Sequence, residues 1–223
     1  MKKPIGFRSG MLSLLIAAPV ILSAQLNRSL TADVEVGAAV ITSNQVKKVY
    51  GAGMKLLAGP KVALNASENL WLRVHGGFQW HFKEIEEENS ITDHLRIWKA
   101  GTQLEYFFST GRVHLAAVAG LNYNWCANYF SATYAYNPWT NTSQTVTSDK
   151  FLKGTGLSAD IGALVSFNNF FIKTGYEYLN PLLTVNPEIV KSASNEGLII
   201  PEEYRYNLSS LYFHVGYTVN LSR

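Results

Sequence analysis

Ionisable side chains recur at alternate positions in several stretches of this 223-residue chain. Two of them, Asp160 and Glu177, lie on either side of Asn168-Asn169, a candidate tight turn. In an antiparallel hairpin closed at that turn the two carboxylates face each other, and His214 reaches a similar height on the last stretch. Two carboxylates and an imidazole could share a proton or hold a metal ion. Ion pairing with neighbouring lysine or arginine side chains explains the same residues without catalysis, and we favour that interpretation.

Recognised catalytic and cofactor motifs are absent from the sequence. No G-x-S-x-G, P-loop or dinucleotide fingerprint occurs. The five histidines lack the i, i+4 spacing of a helical zinc protease site, and one cysteine, Cys126, cannot form a thiolate zinc cage or a disulfide scaffold. We therefore predict no catalytic residue, no metal site and no cofactor.

The ionisable residues belong to stretches in which apolar and polar residues alternate. In the last stretch, Phe213 and Val215 share one face, whereas Tyr212 and His214 share the other. A period of two predicts β-strands. The eight predicted strands cover residues 31–41, 50–64, 69–84, 95–109, 111–127, 152–167, 169–180 and 207–222.

The connections between these strands alternate in length. Those after the second, fourth and sixth strands are short, whereas 128–151 and 181–206 reach about 25 residues. Short turns at one end, long loops at the other and an even strand count are typical of membrane barrels. The sequence therefore predicts an all-β fold, an eight-stranded antiparallel up-and-down transmembrane β-barrel with short periplasmic turns and long extracellular loops.

Glycine indicates which face of this barrel lines the lumen. Alternation alone does not decide the matter, because a secreted barrel with an apolar core would also show it. Of the 17 glycines, however, twelve fall on the polar face. Glycine weakens a solvated strand, whereas it makes room inside a narrow eight-stranded barrel. We interpret the polar face as a lumen plug of paired charges. Its predicted network comprises Asp33, Glu35, Lys55, Arg73, His75, His81, Lys99, Glu105, Arg112, His114, Asp160, Lys173, Glu177 and His214, together with Lys61 and Lys83.

Aromatic residues on the apolar face collect at the strand ends, as in the two interfacial girdles of membrane barrels. The predicted girdle residues at the long-loop ends are Trp80, Trp98, Trp125, Tyr176 and Tyr178. Those at the short-turn ends are Tyr106, Phe108, Phe167 and Phe170.

The long connections are the predicted contact regions. In 128–151, aromatic residues alternate with small polar ones, which suits glycan or protein contacts or packing of the loop upon itself. The candidate contact residues are Tyr129, Phe130, Tyr134, Tyr136 and Trp139. In 181–206, Asn180-Pro181 and Asn186-Pro187 are interpreted as turns.

Residues 1–24 are predicted to be a signal peptide, which leaves 25–223 as the barrel domain. Lys2, Lys3 and Arg8 precede an apolar run over 11–22, with a cleavage point after Ala24. Removing these three basic residues from a total of 19 leaves 16, against 16 acidic residues. A neutral domain has no electrostatic basis for binding nucleic acid.

The strand count, the alternating connections and the closing strand over 211–221 resemble those of small bacterial outer-membrane barrels. These barrels form the OmpA transmembrane-domain and OmpX-like group, which is also described as the outer membrane protein β-barrel domain family. The resemblance covers nearly all of residues 25–223. It implies insertion into the outer membrane of a Gram-negative envelope by the barrel-assembly machinery. The barrel would contact outer-membrane lipid, with both termini in the periplasm and the long loops outside the cell.

Three functions remain open at this point. The first is a non-enzymatic barrel whose surface loops serve structural, adhesion or partner-binding roles. The second is an accessory subunit of a larger envelope secretion or assembly complex, contacted through 128–151 and 181–206. The third is a lipid- or surface-modifying enzyme; the family's deacylases use a His-x-Ser pair, which no histidine of this chain forms.

Overall fold

A computed structural model describes residues 29–85, 91–108, 111–133, 145–195, 197, 199 and 201–221. The predicted signal peptide and the candidate contact residues Tyr134, Tyr136 and Trp139 lie outside the described residues. Neither helix in the described part is both long and apolar enough to cross a bilayer.

The described residues form ten β-strands and two short helices. Their bounds are β1 Leu30–Ile41, α1 Asn44–Tyr50, β2 Ala52–Ala63, β3 Leu70–Ile85, β4 Ile91–Phe107, β5 Val113–Thr133, β6 Thr145–Phe167, β7 Phe170–Leu179, β8 Leu182–Val185, α2 Pro187–Asn195, β9 Glu203–Arg205 and β10 Ser210–Asn220.

Eight of these strands close into a barrel. Consecutive strands from β1 to β7 pair antiparallel, β7 pairs with β10, and β10 returns to β1. The short strand β8 follows β7 after Asn180-Pro181 and pairs with the same neighbour, β6, over Leu152–Thr155. In turn, β9 pairs with β8 and precedes β10. The predicted all-β, eight-stranded antiparallel up-and-down barrel is therefore confirmed, with β8 and β9 as extensions of its wall.

The wall is taller on one side than on the other. The strands β3 to β6 contain 16 to 23 residues, whereas β1, β2, β7 and β10 contain 10 to 12. Pairing of β3 with β2 stops at His81, and pairing of β6 with β8 starts at Leu152. The residues of β3 to β6 beyond these points form what we name the protruding sheet. Among the described strands, none pairs with the outer edges of 82–85 or 145–151.

The expectation that 128–151 is a long loop is wrong at both flanks. Residues 128–133 continue β5 and 145–151 belong to β6, and Phe130 is the Cα partner of Ser148. The apolar alternation fades here, although the threonine and aromatic residues still favour strands. Tyr129 and Phe130 therefore lie in β5, but their side chains are outside the described part. Residues 181–206 are also not an open loop, because they contain β8, α2 and β9.

Burial in this barrel is inverted relative to a soluble protein. On β10, Leu211, Phe213 and Val215 are exposed, whereas Tyr212 and His214 are buried. The same alternation runs along the other wall strands, with the charged side chains inside and the exposed apolar side chains outside, although a few inward positions are apolar. The polar face therefore lines the lumen.

Glycines let neighbouring groups approach the inner wall closely. A Cβ at Gly59 would overlap the carbonyl oxygen of Val74 on the next strand, and one at Gly120 would overlap the Asp160 carboxylate. Outward-facing Gly76 has no such neighbour, its nearest atom being 3.7 Å away. Inner glycines thus accommodate both the strand curvature and the side chains that fold over them.

Candidate functional site

The lumen is filled by three tiers of polar side chains, described here from the short-turn end upward. In the lower tier, Lys61 Nζ lies 3.0 Å from Asp33 Oδ2 and 3.3 Å from Glu105 Oε2. The Thr218 hydroxyl donates to Asp33 Oδ1 at 2.7 Å. The ammonium of Lys61 also lies over the Trp71 ring, 5.5 Å from its centroid. One cation thus holds two carboxylates that would otherwise repel each other.

Glu35 is the centre of the middle tier. Its Oε1 accepts a hydrogen bond from Lys173 Nζ at 2.6 Å and lies 3.2 Å from Arg73 Nη1. The Nδ1 atom of His214 is 3.5 Å from the same oxygen. All four side chains are almost fully buried. A single carboxylate therefore faces two cations with little screening by solvent.

Asp160 is held in the middle tier mainly by neutral donors. Gln103 Nε2 donates to its Oδ1 at 2.9 Å, and Asn122 Nδ2 donates to its Oδ2 at 3.0 Å. The two amides extend the network, because Gln103 Oε1 accepts from Lys173 Nζ at 3.2 Å and Asn122 Oδ1 accepts from His75 Nε2 at 2.7 Å. The amides thereby connect Asp160 to Lys173 and to the His75 ring without a direct ion pair.

Glu177 organises the upper tier. Its carboxylate pairs with Lys55 Nζ at 3.0 Å and with Lys99, and it accepts a hydrogen bond from the Ser158 hydroxyl at 2.6 Å. Lys99 also donates to Asn124 Oδ1 at 2.9 Å. Over all three tiers the buried charges balance, with five carboxylates and five cations in the part of the lumen that is described. The carboxylates are Asp33, Glu35, Glu105, Asp160 and Glu177, and the cations are Lys55, Lys61, Arg73, Lys99 and Lys173.

Two residues of the predicted network are not in it. Twelve of the fourteen network residues named first are buried in the lumen, but Arg112 is exposed and His114 is half-buried. Arg112 precedes Val113, the first residue of β5, so the alternation of the strand does not govern its direction. His114 lies at the mouth of the lumen, where its ring is 6.3 Å from that of Phe107. The side chain of Lys83 lies outside the described part.

The candidate trio Asp160, Glu177 and His214 is not assembled into one site. Asp160 and Glu177 are Cα partners, as the hairpin register predicts. Their oxygens nevertheless bind different donors, and the His214 ring lies beside Glu35. Within the described ranges, no group of three histidine, cysteine or acidic side chains is arranged to hold a metal ion. The arrangement is that of separate ion pairs.

An apolar cluster that the sequence did not reveal closes the long-connection end of the lumen, and we name it the apolar cap. It joins α1 to the wall strands and to β8, with Ile189 and Val190 of α2 packed against it. Tyr50 connects the cap to the polar lumen, because its carbonyl oxygen lies 3.2 Å from His81 Nδ1 and its hydroxyl oxygen accepts a hydrogen bond from Asn128 Nδ2. Its buried members are Ile41, Val46, Tyr50, Leu95, Ile97, Cys126, Leu152, Leu179, Leu183, Val185 and Leu208.

A signal for this cap was present in the alternation. Ile41, Leu95 and Ile97 share the inward positions with the lumen charges and lie at the long-connection ends of β1 and β4. Inward apolar residues grouped at these strand ends therefore mark the cap, whereas Leu57, beside Glu35, is an inward apolar residue within the lumen.

The predicted girdle residues all lie on the outer face. Trp80 and Trp125 are half-buried and the other seven are exposed. Outer aromatic rings also contact one another, such as Phe78 and Trp98 at 5.6 Å and Phe170 and Tyr217 at 5.0 Å between centroids.

Similar solved structures are small outer-membrane barrels. Neisserial surface protein A is 14% identical, with 86% of this chain and 97% of that chain covered and a TM-score of 0.41. The attachment invasion locus protein Ail of Yersinia pestis is 14% identical over 85% of this chain and 99% of its own, with a TM-score of 0.41. OprG of Pseudomonas aeruginosa is 8% identical, with 86% of this chain and 97% of that chain covered and a TM-score of 0.44.

These similarities concern the fold alone, and the fold itself is defined by the strand pairings. No protein-family model matches the chain, and no curated protein matches it.

Proposed function

We propose that this chain is a non-enzymatic outer-membrane barrel that acts through contacts at its long-connection end. The observation that carries the proposal is the inverted burial, with an apolar outer face around a polar, charge-balanced lumen. Soluble monomers rarely expose a continuous apolar patch of more than a few hundred Å². A bilayer is the surrounding in which such a face is stable, and a closed barrel leaves few backbone groups unpaired within it.

The filled lumen supports a closed barrel rather than a diffusion channel. Ten buried charged side chains and the apolar cap occupy the interior along its length. Eight strands leave an interior just wide enough for side chains. The barrel therefore serves as an anchor, and its activity lies in what it presents outside the bilayer.

The protruding sheet is the feature that favours partner contact. Backbone N–H and C=O groups along an unpaired strand edge can pair with an extended segment of another protein. The strand edges at 82–85 and 145–151 have such unpaired backbone groups at the tall side of the wall. The same feature suits both a surface-contact protein and an accessory subunit of an envelope complex. In the proposed orientation this end faces the cell exterior, both termini face the periplasm, and the barrel-assembly machinery inserts the chain.

Cell fractionation combined with a heat-dependent gel shift tests the membrane location. We expect the chain in the outer-membrane fraction, migrating faster before boiling than after it, and producing no stable conductance in planar bilayers. Recovery as a soluble periplasmic protein would overturn the proposal. Altered lipid A or phospholipid profiles in a deletion strain would favour the enzyme instead.

Gentle detergent extraction followed by native purification separates the two partner-binding functions. A stoichiometric envelope protein that co-purifies would indicate an accessory subunit. A barrel that purifies alone supports the independent surface role.

A further inference from the structure

An apolar groove crosses the outer face of β6, β7 and β10 near the short-turn end. One wall of it is a row of consecutive Cα partners, Val165, Ile172 and Val215. The other wall contains Phe167 and Phe170, which pair across the Asn168-Asn169 turn. The groove has a volume of about 320 Å³, comparable with the smaller ligand pockets of proteins.

The floor of the groove is formed at two residues whose side-chain positions face inward. Phe171 and Gly216 are Cα partners, and the Phe171 ring packs inside the barrel over Gly216. Both strands therefore present only backbone to the outside between the two rows of outward side chains.

Arg112 supplies a cation at the adjacent end of the barrel. It is exposed and directly precedes Val113, whose Cα partner on β6 is Phe167. The backbone of Arg112 therefore lies one residue beyond the Phe167 end of the aromatic wall. No described residue forms an ion pair with it. An arginine at the end of an apolar belt extends towards the headgroup level, where its planar fork matches a phosphate.

We propose that this groove binds one acyl chain of an anionic glycerophospholipid whose phosphate is held by Arg112. The inference rests on the membrane location proposed above. The apolar groove and the cation lie in the order in which an acyl chain and its headgroup occur in a leaflet. The exposed side chains of Phe167 and Phe170 form the wall of the groove nearest to Arg112.

Native mass spectrometry of the full chain tests the site after release from nanodiscs of phosphatidylethanolamine and phosphatidylglycerol in equal parts. We expect one phosphatidylglycerol retained per barrel. The variant Arg112→Gln removes the cation, and Ile172→Trp fills the groove. Each should lower the retained fraction about tenfold, which corresponds to ~1.4 kcal/mol.

Two matched variants provide the controls. Leu104 is 45% exposed on the outer face of β4, much as Ile172 is 47% exposed on β7, so Leu104→Trp adds the same bulk away from the groove. Lys191→Gln removes an exposed cation on α2. Both should retain lipid as the unaltered chain does. Equal retention in all five proteins, or no retained lipid, would overturn the site. Failure of the heat-dependent gel shift in the unaltered chain would instead contradict the membrane barrel itself.

Discussion

Glu35 is the residue on which the middle of the lumen depends, because Lys173 and Arg73 both approach its Oε1. Glu35→Gln removes the charge and leaves two buried cations facing a neutral amide. Removing one partner of a buried ion pair typically costs about 3–5 kcal/mol. We expect a loss of this size in the free energy of unfolding, measured by urea titration in lipid vesicles.

The exposed Glu188 of α2 supplies the control for this measurement. Glu188→Gln should change the unfolding free energy by no more than about 0.5 kcal/mol, as surface substitutions generally do. Equal effects of the two substitutions would show that the Glu35 ion pairs do not stabilise the barrel.

The glycines of the inner wall make a second prediction at this scale. Gly59→Ala forces a Cβ against the Val74 carbonyl, whereas Gly76→Ala meets no atom closer than 3.7 Å. Overpacking costs about 1–3 kcal/mol, so Gly59→Ala should lower the urea midpoint and Gly76→Ala should not. If Gly76→Ala were the more damaging, the close approach of the inner wall at Gly59 would be contradicted.

The face of the barrel wall to which each side chain points was largely predictable from the sequence, because side chains alternate strictly along a strand. This placed Glu35, Arg73 and Lys173 inside the barrel. The partners of each charge were not predictable, since they depend on how eight strands align around the lumen. The alternation also failed at Arg112, which lies before the first residue of its strand.

At the scale of elements, the apolar cap should stabilise the barrel separately from the lumen charges. Leu183 is 2% exposed within the cap, whereas the next residue along β8, Leu182, is 38% exposed. Leu183→Ala removes buried side-chain volume, which typically costs about 2–5 kcal/mol. We expect that loss for Leu183→Ala and under about 1 kcal/mol for Leu182→Ala in the same urea titration. Similar losses for both would mean that the cap does not pack as described.

The strands were predictable and the helices were not. Asn186-Pro187, interpreted as a turn, instead begins α2, with Asn186 Oδ1 accepting from the Glu188 N–H at 3.1 Å. Asparagine before proline is also a helix-start pattern, so the signal was ambiguous. The seven residues of α1 are too few to be stable alone and are fixed by buried Val46 and Tyr50.

The whole molecule combines a charge-balanced lumen with an apolar exterior. The five buried carboxylates match the five buried cations, and residues 25–223 are themselves neutral, with 16 charges of each sign. The closed, up-and-down topology followed from strand count and connection lengths. The protruding sheet did not, because its strands continue beyond the region of apolar alternation.

Tryptophan quenching by brominated lipids tests directly whether the apolar face of the barrel is the outer one. Trp98 is 59% exposed on that face, whereas Trp71 is 9% exposed and lies beside Lys61. Two variants, each keeping one of these tryptophans with the other four replaced by phenylalanine, are inserted into vesicles whose acyl chains carry bromine at several depths. We predict strong quenching of Trp98 and little of Trp71. Quenching of Trp71 as strong as that of Trp98 would contradict the inverted barrel.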